Sequence, residues 1–404
     1  MSGIELFVDD IEGRLHAAVV TRGVLTNLYV DALDQDACWG SIYHGKVLKI
    51  DKRLNAAIVD LGNGVTGFLP AKHVYLPQVG AAADRSGIGD LLSPGQMVLV
   101  QVKAEAKRGS LHDQHKMPRM TMLIYLSGQY LTHSPIAQQV TISSNIENEA
   151  VLKFTAKLKG KGGWLVQQNA EHATEEKMLT EAQLLRSEWE QIQAVIESSA
   201  DRPRLVKPGP NAALRALNDY SAGRFDHIHA GDKRCLEIVM QWSARHEPTL
   251  ANSKRLRLFK PEKIGQRLFD INDLYSELEM LEDMIVPLNG GGSIVIEPTH
   301  AVIMIDVNQG GGTGPSAVNQ EAAVECVRQI RLRNLSGAIL IDFIGMNQKS
   351  ERIRLQDTME RLLYGDHAAA EVHGLTRLGI VEITRKRRTA TLAEKRRVKP
   401  AQTA

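Results

Sequence analysis

The sequence predicts a multidomain α/β protein, and three observations carry that prediction. Its 404 residues exceed a single domain of about 100–200 residues, and 43% apolar with 24% charged residues is enough to bury a core in each of several domains. The first quarter reads as short strands bent at glycines, and the last quarter alternates apolar strands with amphipathic helices. Disordered and collagen-like chains are excluded by the same composition.

Residues 4–8, 15–20 and 26–30 alternate as strands and break at Gly13 and Gly23, which predicts an antiparallel meander. Residues 41–50, 56–62, 67–70 and 96–102 are further short strands with glycine at the bends, the pattern of a small OB-type barrel. A Gly/Ala/Ser-rich loop follows at 80–95, and a basic loop at 104–119 carries Lys107, Arg108, His112, His115, Lys116 and Arg119. Residues 171–199 lack Gly and Pro and space Met178, Leu184, Leu185, Trp189 and Ile192 as one amphipathic helix or two. The prolines of 202–210 predict a linker. Beyond it, strands at 294–296, 301–305 and 338–341 alternate with helices at 319–333 and 349–363, as in a sheet flanked by helices.

The net charge of +2 conceals an asymmetry, because residues 376–400 hold nine basic side chains against Glu382 and Glu394. That segment is net +7 and the remainder −5. With only 5% aromatic residues, any site that stacks bases is small. Cys38, Cys235 and Cys326 are odd in number and far apart, which argues against a disulfide framework or a closed zinc site and for a reducing compartment. No signal pattern or apolar run of membrane-spanning length is present, so the expected location is cytoplasmic, with no membrane partner.

The residues best suited to chemistry are two aspartates that each end an apolar strand. Ile303-Met304-Ile305-Asp306-Val307-Asn308 runs into Gly310-Gly311-Gly312, and Ile339-Leu340-Ile341-Asp342 closes a second strand. If the strands are neighbours, both carboxylates lie at one sheet edge and can share a hard cation, Mg²⁺ being suited to two carboxylates plus waters, with the Asn308 amide nearby. Each Asp could equally cap the helix that follows. The glycine run lacks the Lys-Ser/Thr of a phosphate-binding P-loop.

The string Ile305-Asp306-Val307-Asn308, with Asn319-Gln320-Glu321-Ala322-Ala323, Arg328-Gln329-Ile330-Arg331-Leu332-Arg333 and Ile341-Asp342-Phe343-Ile344-Gly345-Met346, resembles the catalytic region of the RNase E/G family of bacterial endoribonucleases. Ile42-Tyr43-His44-Gly45-Lys46, residues 56–62 and Gly67-Phe68-Leu69-Pro70 resemble that family's S1-type OB-fold, and Gly231-Asp232, 291–296 and 376–385 extend the likeness along the chain. The resemblance implies an RNase H-like part formed by 1–38 and 212–281, an S1-type OB-fold at 39–125, a 5′-sensor-like domain at 126–211, a DNase I-like catalytic domain at 282–384 and a basic tail at 385–404. It implies that Asp306 and Asp342 hold Mg²⁺, supported by Asn308, and hydrolyse single-stranded RNA to 5′-phosphate and 3′-hydroxyl ends. Phe68 and Lys116 would grip the strand with Arg377, Arg385 and Arg387. From the residues alone, Phe68 could instead be a barrel-core side chain, and the run Arg385-Lys386-Arg387-Arg388 through Lys399 could be a solvated tail.

Departures from the family pattern carry expectations of their own. Gln167-Gln168 replace a charged Arg-Thr pair in the sensor for an RNA 5′-monophosphate, and Ser143-Ser144-Asn145 lacks the usual basic residues, so 5′-end sensing is expected to be weak or absent. Ile58 replaces an OB-fold phenylalanine, and Gly345 replaces a second aspartate beyond the inferred ligand Asp342. No C-x-x-C zinc link is present, so no zinc-linked dimer is expected and the oligomeric state is open. Among lesser candidates, His227 and His229 could share a metal, Cys326 reads as a packed apolar residue, and Arg328, Arg331 and Arg333 either meet RNA phosphate or form a helix-end salt network. An RNA-binding protein with little or no nuclease activity is the alternative function, and a protein partner for the basic tail a weaker one.

Overall fold

Glu12, Gly13, Arg22 and Gly23 adopt φ of 53°, 71°, 52° and 79°. Paired left-handed residues make the tight hairpin turns whose twist suits flanking strands. They join Ile4–Ile11, Arg14–Thr21 and Val24–Ala32 into the expected meander. The structure, a computed structural model, describes residues 3–32, 37–76, 87–107, 116–143, 146–158, 162–198, 202–299, 301–311 and 314–397. These divide into two units, one built from Met1–Ala32, Asp226–Leu236 and Lys254–Ala404, the other from Leu33–Phe225 and Glu237–Ser253.

In the first unit the meander is extended by two parallel strands, giving the order Leu256–Leu258, His227–Ala230, Ile4–Ile11, Arg14–Thr21, Val24–Ala32. A second sheet runs Ile285–Pro287, Ser293–Pro298, Val302–Asn308, Gly337–Asp342, Ile380–Arg385, Ala370–Leu375. One of its faces is apolar: Ile294, Ile305, Ile339, Ile341 and Ile383 are buried against Val318, Ala322, Cys326, Leu355 and Met359 of the helices Pro315–Leu332 and Lys349–Leu363. Because strand side chains alternate, Met304, Asp306, Asn308, Leu340, Asp342 and Glu382 occupy the opposite face. The first helix begins at Pro315, four residues earlier than the spacing predicts, since Pro is tolerated in the first turn, where its missing N–H has no helical partner.

In the second unit, Ile42–Asp51, Ala56–Gly62, Val65–Pro70, Met97–Ala104 and Arg119–Thr121 form a barrel that closes through pairing of the first and fourth of these strands. Val47, Val59, Leu61, Leu69, Val100 and Met120 fill it. The segment 202–210 is not a plain linker. Arg204–Lys207, between the prolines, adds a strand to the barrel, pairing Arg204 with His44 and Leu205 with Tyr43. A four-stranded sheet, Val140–Ile142, Gly163–Val166, Leu131–Ser134, Leu126–Ser127, packs with the helices Glu149–Leu158 and Glu175–Glu197 around Phe154, Trp164 and Leu185. The long helix starts where Thr174 caps it by accepting the Lys177 N–H.

The basic segment is a folded element as far as residue 397, not a tail. Arg385 is 7% exposed; its guanidinium meets Asp366 at 2.9 Å and donates to Asn334 Oδ1 and the Leu335 carbonyl. Arg387 pairs at 2.9 Å with Glu394, which forms a capping box with Thr391 at the start of the helix Leu392–Arg396. Lys395 is buried against Asp31 and the Val30 carbonyl, and Arg396 pairs with Glu282. Arg385, Arg387, Lys395 and Arg396 of the charge run thus have acidic partners within the unit. Of the residues expected to grip RNA, Arg385 is buried on Asp366 and Arg387 half-buried on Glu394, and Lys399 lies outside the described residues.

Candidate nuclease site and RNA-facing barrel surface

Val302–Asn308 and Gly337–Asp342 are parallel neighbours, and their register sets Asp306 directly beside Asp342. In-register residues of adjacent strands project to the same face about 4.8 Å apart, so the two carboxylates meet at the C-terminal edge of both strands. Asp306 is exposed and Asp342 half-buried. Asn308, two residues on and on the same face, donates its Nδ2 to Asp306 Oδ2 at 2.9 Å. Neither carboxylate has a basic partner among the described residues, and like charges directly opposite on a sheet repel. The arrangement therefore favours an added cation. Two carboxylates are few for Ca²⁺ but suit Mg²⁺, which keeps most of its waters, so the donor set fits the ion named from the sequence.

The backbone around the pair is tightly held. A Cβ on Gly310 would lie 1.1 Å from the Gly291 carbonyl oxygen, and one on Gly292 would lie 2.7 Å from the Asn308 carbonyl, so these glycines permit an approach no other residue allows. Glu321 accepts the Gly290 N–H at 3.0 Å. Asn319, 1% exposed, donates to the Ile344 carbonyl at 2.8 Å and accepts the Ile344 N–H at 3.0 Å. Neither contact was singled out from the sequence. The available signal was a polar residue on the apolar stripe of Val318, Ala322 and Cys326. Arg377 is exposed in the turn before Ile380, the residue that pairs with Asp342 across the sheet. Gly345 is exposed beyond that strand.

On the barrel, Gly67 and Leu69 point inward, so Phe68 faces outward and is half-buried, which excludes a core position. Its register partners are Ile58 and Arg119, and its N–H bonds the Pro118 carbonyl at 2.9 Å. Lys116 is exposed and forms a two-bond bridge with Lys107, so Phe68, Arg119, Lys116 and Lys107 share one edge. Arg108, His112 and His115 lie outside the described residues. The sequence shows Arg119 only as one of the basic loop's charges; its place beside Phe68 follows from strand pairing.

In the small sheet, Gln167 spends its amide internally, donating Nε2 to the Gly128 and Leu131 carbonyls and to Thr132 Oγ1 at 3.0–3.2 Å. That turn is fixed by Glu181, which accepts the N–H groups of Gln129, Tyr130 and Leu131, while burial pushes its carboxyl up to about 7. Gln168 is exposed, and Ser144 and Asn145 are outside the described residues.

The lesser candidates resolve into structure. Arg328 serves Glu325, Glu277 and the Leu25 carbonyl. Arg331 serves the Leu362 carbonyl and Asp366, and Arg333 serves Gln329, the internal network that the sequence left as one of two readings. His229 stacks on Phe7 at 4.6 Å and meets Glu5, while His227 meets Arg257. No group of three or more metal-ligating side chains occurs among the described residues. Cys326 is fully buried, and burial pushes its thiol up. No helix among the described residues is long and apolar enough to cross a membrane.

The family model of the ribonuclease E/G family matches residues 125–388, and that of the S1 RNA-binding domain matches 39–110. Ribonuclease G of Salmonella typhimurium is 28% identical over 95% of this chain and 80% of its own length, and ribonuclease G of Haemophilus influenzae 28% over 97% and 81%. Ribonuclease E of Synechocystis is 32% identical over 94% of this chain and 56% of its own length. With the family model spanning well over half of the sequence and the relatives nearly all of it, the chain belongs to the ribonuclease E/G family of endoribonucleases.

Proposed function

We propose that this protein is a Mg²⁺-dependent endoribonuclease that hydrolyses single-stranded RNA to 5′-phosphate and 3′-hydroxyl ends, with little or no 5′-monophosphate sensing. The observation that carries the reading is the in-register pair Asp306 and Asp342, two carboxylates without a basic partner among the described residues. Asp306 and Asp342 would hold the ion, which when bound supplies Lewis-acid charge at the scissile phosphate and acidifies a water. Asn308 holds one Asp306 oxygen, which fixes the carboxylate's rotation. Arg377, on the turn adjoining Asp342, is suited to a flanking phosphate. On the barrel, Phe68 offers a ring to a base, and Lys116 and Arg119 offer charge to the backbone. We read the carboxylate-bearing sheet as DNase I-like and the sheet containing Ile4–Ile11 as RNase H-like.

The lapse in sensing rests on Gln167, whose uncharged amide is already committed to its own turn. A labelled RNA bearing a 5′-phosphate and its 5′-hydroxyl counterpart are therefore expected to be cut at equal kcat/KM. A preference for the phosphate of tenfold or more would show that another group senses the end. Products carrying a 2′,3′-cyclic phosphate would refute the metal-assisted reading, and a folded protein that binds RNA yet does not cleave it in Mg²⁺ would establish the binding-only alternative.

Phe68→Ala is expected to weaken single-stranded RNA binding by about 1–3 kcal/mol, roughly 5- to 150-fold. Fluorescence anisotropy without Mg²⁺ isolates binding from cleavage. Unchanged affinity would place the RNA path elsewhere.

A further inference from the structure

We propose that Asn319 is a positioning residue for the carboxylate pair, acting through the backbone of Ile344; the inference rests on the nuclease reading of Asp306 and Asp342. Asp342 is the last residue of its strand, and at residue 343 the chain leaves the sheet. A buried backbone segment leaving a ladder must find other partners for its N–H and C=O groups. Asn319 supplies both. Its Nδ2 donates to the Ile344 carbonyl at 2.8 Å, and its Oδ1 accepts the Ile344 N–H at 3.0 Å. A planar amide that bonds both groups of one residue stands in for one more ladder position. Asp342 is thereby held from two sides, by register with Asp306 and Ile380 and by Asn319 two residues beyond it.

The same stretch of helix reaches the other side of the site. Glu321 holds Gly290, whose neighbours Gly291 and Gly292 abut Gly310 and Asn308. An amide buried among apolar residues is a poor helix former and is costly unless fully bonded, so the position demands a reason. Plain structural satisfaction is one reason. Holding the Asp342 carboxylate at cation-sharing distance from Asp306 is another, and it makes a separate prediction: disturbing Asn319 changes cation affinity and turnover more than it changes folding or RNA affinity.

Asn319→Asp keeps the acceptor for the Ile344 N–H but sets a carboxylate oxygen against the Ile344 carbonyl, and Asn319→Leu removes both bonds. In the full chain, kcat is expected to fall about 10–100-fold, as for other residues that orient metal ligands, with KM within about twofold. The Mg²⁺ concentration at half-maximal rate is expected to rise several-fold. Mn²⁺ affinity in the absence of RNA, followed by electron paramagnetic resonance, is expected to weaken in parallel while the thermal transition stays cooperative. A folded variant with wild-type kcat and Mn²⁺ affinity overturns the proposal. So does failure of both variants to fold, which would make Asn319 purely structural. Asp342→Asn serves as the reference: a wild type that does not cleave refutes the nuclease reading, and the Mn²⁺ measurement then still reports on Asn319.

Discussion

Asp306→Asn and Asp342→Asn will each reduce Mg²⁺-dependent RNA cleavage by roughly 10²–10⁴-fold, the several kcal/mol of charge stabilisation that a bound cation contributes to the transition state. The substitution keeps side-chain shape and removes one negative charge, so the loss reports on cation holding and not on packing. Stability is expected to move the other way. The carboxylates sit directly opposite each other with no basic partner among the described residues, and relieving like-charge opposition on a sheet is worth about 0.2–1 kcal/mol. Both variants should therefore melt at or slightly above the wild-type temperature, a trade of stability for function. Cleavage within tenfold of wild type in either variant would remove the pair from the chemistry. Loss of RNA binding in the absence of metal would show that the substitutions disturb more than the cation.

Arg385→Met will destabilise the first unit by about 3–5 kcal/mol, because it removes the nearer of the two guanidinium groups that neutralise buried Asp366 and leaves only Arg331 at 3.6 Å. The side chains of Arg385 and Asp366 are 6% and 2% exposed, and the pair is further bonded to Asn334 and the Leu335 carbonyl. Burial by itself pushes the Asp366 carboxyl up, but the Arg385 guanidinium, its hydrogen bonds and Arg331 outweigh burial and hold it below the usual value of 3.8. A carboxyl whose folded pKa is depressed contributes stability that is fully present above its unfolded value. That contribution is lost as pH falls through the folded one. The destabilisation by Arg385→Met is thus largest near neutral pH and shrinks below about pH 4, where Asp366 protonates in the unfolded chain, as acid melts of both proteins would show. The slope of RNA affinity against salt should be unchanged in the folded fraction, since the Arg385 guanidinium is buried and paired with Asp366. A reduced slope with intact stability would return Arg385 to the RNA surface. For the same reason, deletion of residues 385–404 tests folding and not RNA affinity, because Lys395 and Leu392 belong to the packed interior.

Local signals were read from the chain with little loss. Glycines at the hairpin bends, alternation in the meander and barrel, and the helix Lys349–Leu363 with its predicted bounds all depend on residues within a few positions of one another. The prolines of 202–210 misled because Pro203 and Pro208 flank a stretch that can still donate and accept. Whether Arg204–Lys207 joins a sheet depends on a barrel strand some 160 residues earlier. The charge run misled for a similar reason. Its partners Asp31, Glu282 and Asp366 are distant in sequence, and a count of charges cannot see them.

What the sequence alone determined, then, is the repertoire: two aspartates at strand ends, an aromatic on a barrel strand, the uncharged pair Gln167-Gln168, and a family resemblance carried by strings of adjacent residues. Tertiary structure decided which of these meet. Asp306 and Asp342 read equally well as helix caps until parallel pairing sets them side by side, and the barrel core stays open to Phe68 until Gly67 and Leu69 take the inner face. Asn319 shows nothing of its role until the chain beyond Asp342 folds back to it. Strand register and buried ion pairs are contacts between residues far apart along the chain, chosen by the burial of whole faces at once. No local pattern encodes that choice.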